Sequence, residues 1–178
     1  MTGANTVQIG NGTDAAIDLH VAGALSIPSS VSYGGDSYAV TSVGRAAFDH
    51  CISLTSTGLG TNSTVTTLGP AAFAGCQSLT GDLVLGSAVS SVGPGAFVHT
   101  GLSAAYLLAA VPSSVSVGDA AFDFSGSGDY ASILYVPSSW DGTTSLTAGS
   151  HTYRVSDGNL VIMDPAVLSD IVASRSSA

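Results

Sequence analysis

Val43-Gly44-Arg45-Ala46-Ala47-Phe48, Leu68-Gly69-Pro70-Ala71-Ala72-Phe73, Val92-Gly93-Pro94-Gly95-Ala96-Phe97 and Val117-Gly118-Asp119-Ala120-Ala121-Phe122 are four copies of one unit, apolar-Gly-x-x-Ala-Phe. Their phenylalanines are separated by 25, 24 and 25 residues, and their glycines by the same intervals. A unit this short cannot bury its own apolar face, so a fixed period in this range points to stacked coils sharing a continuous core. The expected fold is a repeat solenoid, with Phe48, Phe73, Phe97 and Phe122 lying over one another inside it.

The flanking positions repeat too. Val43, Leu68, Val92 and Val117 stand five residues before each ring, and alanine always stands one before. Three residues after each ring come Cys51, Cys76, Thr100 and Ser125, all small enough to pack inward. Further on are Leu59, Leu83-Val84-Leu85, Tyr106-Leu107-Leu108 and Ile133-Leu134-Tyr135-Val136. Each coil therefore reads as a short strand, a glycine turn, a single helical turn around Ala-Phe, and a second short strand. The glycine suits either a positive φ or close approach of the neighbouring coil. Pro70 and Pro94 follow it where the first turn of a helix tolerates proline. Pro-Ser-Ser steps at Pro28, Pro112 and Pro137 mark bends between coils.

These residues resemble the BspA-type leucine-rich repeat. The resemblance rests on Tyr38 to Leu54 and on Val65 to Leu79, where valine, glycine, Ala-Phe, cysteine and leucine agree in order. It extends over about residues 25 to 139 and weakens in the last two copies, which lack the cysteine. The fourth copy also lacks one residue before its glycine, so those coils are expected to be less regular. The fold class expected is a leucine-rich-repeat-like solenoid of short β-strands with single helical turns, about four coils, and β-hairpin caps at both ends. The resemblance implies a surface or secreted protein of a bacterium or protist that binds host or matrix components.

The expected layout is one domain: an N-terminal cap over 1–37, four repeats over 38–139, a C-terminal hairpin cap over 140–164 and a tail over 165–178. Gly34-Gly35 reads as the tip of a hairpin in the first cap. In the second, Tyr153-Arg154-Val155 and Leu160 to Met163 flank Ser156-Asp157-Gly158-Asn159, again a hairpin signal. Ala166 to Val172 reads as a short helix.

Composition excludes several function classes. Charged residues make up 8% of the 178, with twelve aspartates, three arginines, no glutamate and no lysine, for a net charge of −9. Such a surface repels phosphate backbones and anionic lipid, so nucleic acid and membrane surfaces are poor partners. No apolar run approaches the roughly 18–20 residues that span a bilayer, so membrane insertion is not expected. Met1 to Asn5 begins no signal peptide, which suits a domain excised from a longer surface protein.

Chemistry-bearing clusters are sparse. Cys51 and Cys76 share a repeat position and read as buried free thiols, with a disulfide up the stack as the alternative; no histidine stands at zinc-site spacing from them. His50 and His99 share another position but sit two rungs, about 10 Å, apart, too far to hold one metal ion; His20 and His151 match neither. Asp123 to Asp129 resembles a calcium loop without the closing acidic residue. No nucleophile elbow is present. Neither catalytic residues nor a metal or cofactor site is expected. The sequons Asn11-Gly12-Thr13 and Asn62-Ser63-Thr64 are the kind a Ser/Thr-rich chain produces by chance.

The function expected is therefore a non-catalytic extracellular binding or adhesion module for a protein or glycan partner. Tyr106, Tyr130, Tyr135 and Trp140 are the aromatic candidates for its surface. The alternatives are a structural spacer that self-associates into filaments and, more remotely, a hydrolase.

Overall fold

A computed structural model describes residues 5–60, 64–109, 115–126, 133–138, 145–148, 151–154 and 160–163. Strands β1 (Thr6–Ile9), β2 (Gly23–Ala24) and β3 (Ser30–Tyr33) belong to the N-terminal cap. The first coil is entered by β4 (Asp36–Val43) and left by β5 (Leu54–Ser56); the second holds β6 (Thr67–Leu68) and β7 (Thr80–Leu85). The third holds β8 (Ser91–Val92) and β9 (Gly101–Leu107), and the fourth β10 (Ser116–Val117) and β11 (Ile133–Pro137). After these come β12 (Ser145–Ala148), β13 (His151–Arg154) and β14 (Leu160–Met163).

The chain winds as a parallel β-solenoid with two main sheets. The first runs β1-β4-β6-β8-β10-β12-β13, with β3 on β4; the second runs β14-β11-β9-β7; a third, of two strands, is β2-β5. The repeat valines and leucine form one column through the first sheet, in the register Ile9, Val43, Leu68, Val92, Val117, Ala148. Behind it lie the four phenylalanines, all buried. Ring centroids are 4.9 Å apart for Phe48–Phe73, 5.4 Å for Phe73–Phe97 and 6.2 Å for Phe97–Phe122, with interplanar angles of 19°, 5° and 5°. The spacing widens toward the copies that lack the cysteine.

The Ala-Phe step differs from the expected helical turn. No helix forms there; each copy is a chain of overlapping tight turns. In the second coil the amides of Ala72, Ala74 and Cys76 donate to the carbonyls of Gly69, Ala71 and Phe73, at 3.2, 3.2 and 3.4 Å. Ala71 takes φ 54° and Gly75 φ 68°, and the matching pairs are Ala46 and His50, and Gly95 and His99. Positive φ is incompatible with a right-handed helix. It turns alternate amides along the stack instead: those of Ala46, Phe48 and His50 donate to Pro70, Ala72 and Ala74 at 2.9, 2.8 and 2.7 Å. Pro70 and Pro94 thus occupy the second position of a turn whose third residue has positive φ, the type II pattern that favours proline there.

The repeat glycine serves close approach. Gly44, Gly69, Gly93 and Gly118 are absent from the positive-φ set. A Cβ on Gly69 would lie 2.5 Å from the Arg45 amide nitrogen of the coil below, where no side chain fits.

Both caps contain an antiparallel strand pair. In the first, β3 pairs with β4 around Gly34 and Gly35, at φ 63° and 92°, as the sequence predicts. In the second, the pair is β12 with β13, not the expected Tyr153–Val155 with Leu160–Met163. Strand β14 instead joins β11 in parallel, Leu134 opposite Leu160 and Val136 opposite Ile162. The run extends the parallel ladder of the second sheet by one rung in place of closing a terminal hairpin. β12 likewise pairs in parallel with β10, so the stack gains an atypical fifth rung on both sheets. The expected connection over 155–159 and the helix over 166–172 lie outside the described residues.

Candidate functional site

Cys51 and Cys76 are both buried and unbridged. The turns that hold them stack at backbone hydrogen-bond distance, His50 on Ala74 at 2.7 Å and Phe48 on Ala72 at 2.8 Å. The Cys76 Sγ donates to the Phe48 carbonyl at 2.9 Å. Burial, reinforced by the neighbouring Cys51, pushes the Cys76 thiol up to about 12. Burial also raises Cys51, with Asp49 adding to it. Neither is set up as a nucleophile, which requires a depressed pKa.

His50 and His99 sit at positive φ on the outer turn. The space over each ring is made by glycine one coil on: a Cβ on Gly75 would lie 3.1 Å from His50 Cδ2, and one on Gly126 would collide with the His99 ring. His50 Nδ1 lies 2.8 Å from Asp49 Oδ1, and His20 Nδ1 lies 2.8 Å from Asp18 Oδ1. Among the described residues, no three histidine, cysteine or acidic side chains converge on a point where a metal ion would sit. The resemblance of Asp123 to Asp129 to a calcium loop has a structural explanation at its start. Asp123 is buried, and its Oδ1 accepts from the Ser125 hydroxyl at 3.1 Å and the Gly126 amide at 2.9 Å, closing a turn. Residues 127–129 lie outside the described residues, as do Tyr130, Trp140, Asn62 and Ser63.

The outer faces of the two main sheets differ. On the first, the outward strand positions form one column of small residues, Ser42, Thr67, Ser91 and Ser116. Just ahead of these strands, hydroxyls bond to carbonyls of the preceding coil, Thr64 to Val40 at 2.7 Å, Thr66 to Thr41 at 3.2 Å and Ser90 to Thr66 at 3.3 Å. On the second, the outward positions form two columns, Asp82-Ala104-Ile133 and Val84-Tyr106-Tyr135. Tyr106 and Tyr135 are half-buried and stack with centroids 4.6 Å apart and planes at 11°. Their faces look along the stack, so edges and hydroxyls are what they present to a partner. The Tyr106 hydroxyl reaches Asp82 Oδ2 at 3.5 Å.

Beside this face the solenoid is split. β5 pairs with β2 of the cap, while β7 is the edge strand of the second sheet, and no pairing joins β5 to β7. The amides of Gly23 and Leu25 donate to Ser53 and Ser56, at 3.0 and 3.3 Å, holding the first coil toward the cap. Gly58, at φ 64°, lets that coil pass so close to Leu25 that a Cβ would lie 2.6 Å from its carbonyl oxygen. The resulting slit has a volume of about 460 Å³. It is closed at one end by the Ser78 amide bonded to the Ile52 carbonyl at 3.2 Å. At the other end Gly60 packs on Val84. The slit is not legible in the repeat pattern. Its one signal is Gly58-Leu59-Gly60, where other coils carry runs such as Leu83-Val84-Leu85.

The geometry defines a repeat protein of the parallel-solenoid class, with one uniform sheet face and one interrupted face. The family model described as BspA type leucine rich repeat region (6 copies) matches residues 27–127. The chain belongs to that family, as the spacing of its glycines and phenylalanines implies. No curated protein and no solved structure matches it. No helix among the described residues is long and apolar enough to cross a membrane.

Proposed function

We propose that this domain is a non-catalytic binding module, displayed outside the cell, that recognises a protein or glycan partner through the outer face of its second sheet. The observation that carries the reading is the contrast between the two faces. The first presents a column of small side chains, Ser42, Thr67, Ser91 and Ser116, whereas the second offers the Tyr106–Tyr135 stack, Asp82 and a slit of binding-site size in one area. Solenoids expose extended regular surfaces of this kind to macromolecular partners. The extracellular setting comes from the family's association with surface and secreted proteins, and it is an analogy of family rather than of site.

The test is an array of oligosaccharides and matrix proteins probed with the labelled chain and with Tyr106→Ala/Tyr135→Ala. A discrete partner whose binding falls at least tenfold in the double variant supports the reading. A partner bound equally by both proteins refutes the assignment of the face. Concentration-dependent self-association with no partner favours the spacer alternative.

A further inference from the structure

Resting on the binding-module reading, we propose that the slit between β5 and β7 receives a short extended peptide segment of a partner protein bearing a lysine or arginine. The segment adds a strand where the fold leaves two sheet edges apart. Each wall is a strand at the edge of its sheet, and the two edges face each other with no strand pairing between them among the described residues. An edge strand offers backbone donors and acceptors at strand spacing, the template that peptide strand addition uses. The split is built in, because the cap bonds from Gly23 and Leu25 and the tight passage at Gly58 hold the first coil away from β7.

Size and lining narrow the occupant. About 460 Å³ falls within the range of sites for compact ligands. Six residues of β7 run roughly 20 Å, so an extended segment of a few residues matches the length of this edge. Leu25, Leu79 and Leu83 give the slit an apolar wall, and Thr55 and Thr80 line it with hydroxyls. Asp82 is the one charged residue of the lining, in a chain of net charge −9. A cationic side chain complements it and an acidic one is repelled. A neutral sugar satisfies the hydroxyls but does not repeat at the interval of the two backbone edges.

The experiment uses the whole 178-residue chain against an immobilised hexapeptide library whose central position is lysine, arginine, alanine or glutamate, beside neutral oligosaccharides. Amide hydrogen exchange then follows the best peptide in solution. Lysine or arginine peptides are expected to be retained over glutamate ones, and to slow exchange in both Leu54–Ser56 and Thr80–Leu85. Thr55 is exposed, so Thr55→Trp fills the slit with little effect on the core and is expected to weaken binding at least tenfold. Asp82→Asn is expected to abolish the cation preference while leaving alanine peptides unchanged. Peptide binding without new protection of both strands, or binding indifferent to Thr55→Trp, overturns the proposal. So does protection of the same amides by an oligosaccharide in place of a peptide. If no peptide binds but an array partner is lost in Tyr106→Ala/Tyr135→Ala, the slit proposal falls and the module reading stands. If nothing binds in either experiment, both fall.

Discussion

Replacing Gly69 by alanine tests whether the repeat glycine is there for contact or for conformation. The added Cβ would sit 2.5 Å from the Arg45 nitrogen and 2.6 Å from the Gly44 carbonyl carbon, where ordinary contact begins at 3.4 Å. Both are backbone atoms and cannot rotate away, so the coils must part locally by about 1 Å. That stretches the Gly69 amide bond to the Val43 carbonyl from 2.8 Å toward a length at which it no longer counts as one. Losing such a bond costs ~0.5–1.5 kcal/mol, and the overpacking adds ~1–3 kcal/mol. The expected destabilisation is about 2–4 kcal/mol, a large share of a total of ~5–15 kcal/mol.

Two residues on, Ala71→Gly is the control. Ala71 is held at φ 54°, a conformation costing a residue with a Cβ ~1–2 kcal/mol that glycine escapes. Greater freedom of the unfolded chain offsets ~0.4–1 kcal/mol of the gain. The net effect is neutral to about 1 kcal/mol stabilising, as the third coil suggests by placing Gly95 there at φ 59°. Urea unfolding followed by far-UV circular dichroism gives both numbers, provided the m-values match wild type, since repeat arrays can lose cooperativity. A Gly69→Ala variant within 0.5 kcal/mol of wild type, or an Ala71→Gly that costs more than Gly69→Ala, would refute the assignment of roles in this turn.

Other perturbations reach the stack from different sides. Phe73, ringed by Phe48 and Phe97, should cost ~3–5 kcal/mol when replaced by alanine, measured in the same urea series; less than 1 kcal/mol would mean the rings do not form the core. Cys76 has its folded pKa raised to about 12 against an ordinary 9, so its stabilising contribution is full below pH 9 and is lost as pH rises from 9 toward 12. Unfolding in that window should release about one proton more in wild type than in Cys76→Ala, a slope of up to ~1.4 kcal/mol per pH unit; identical slopes would count against a buried neutral thiol. Both cysteines should react with an aromatic disulfide reagent only after denaturant is added. Gly126→Ala should be costly beside His99 and milder in a His99→Ala background, with a coupling of ~0.5–3 kcal/mol in a double-mutant cycle; simple additivity would show that the imidazole does not lie over that glycine.

The core was legible because it is written in residue identity at a fixed period. Val43, Leu68, Val92 and Val117 fall into one register, and the four rings stack in chain order. Turn conformation was harder to read, since alanine occupies three of the four positive-φ sites two residues before the ring. The usable hint was chemical: Gly-Pro-Gly at 93–95 suits a type II turn as well as a helix start. The C-terminal strand order was hidden for another reason. The Ser156–Asn159 stretch carries a strong local hairpin signal, but Leu160–Met163 pairs with β11, a choice of strand partner made far away in sequence. The slit was least legible, because it depends on the first coil pairing with the cap rather than with its own successor.

That last competition also bears on where function resides. A uniform solenoid presents the same rung repeatedly, and a partner gains nothing by choosing one. Along the first sheet this uniformity holds, with Ser42, Thr67, Ser91 and Ser116 at the same outward position of successive coils. The second sheet loses its uniformity where β5 turns to β2, and that leaves one place with a unique shape, an acidic side chain and two strand edges. Specificity requires such a difference between one position and the next, and the cap creates it by withholding one rung from the ladder. Thr67→Val, on the first face, should therefore leave partner binding unchanged in the array, whereas Thr55→Trp should weaken binding of the slit peptide at least tenfold. The reverse pattern would move the site to the regular face and break the link between interruption and recognition.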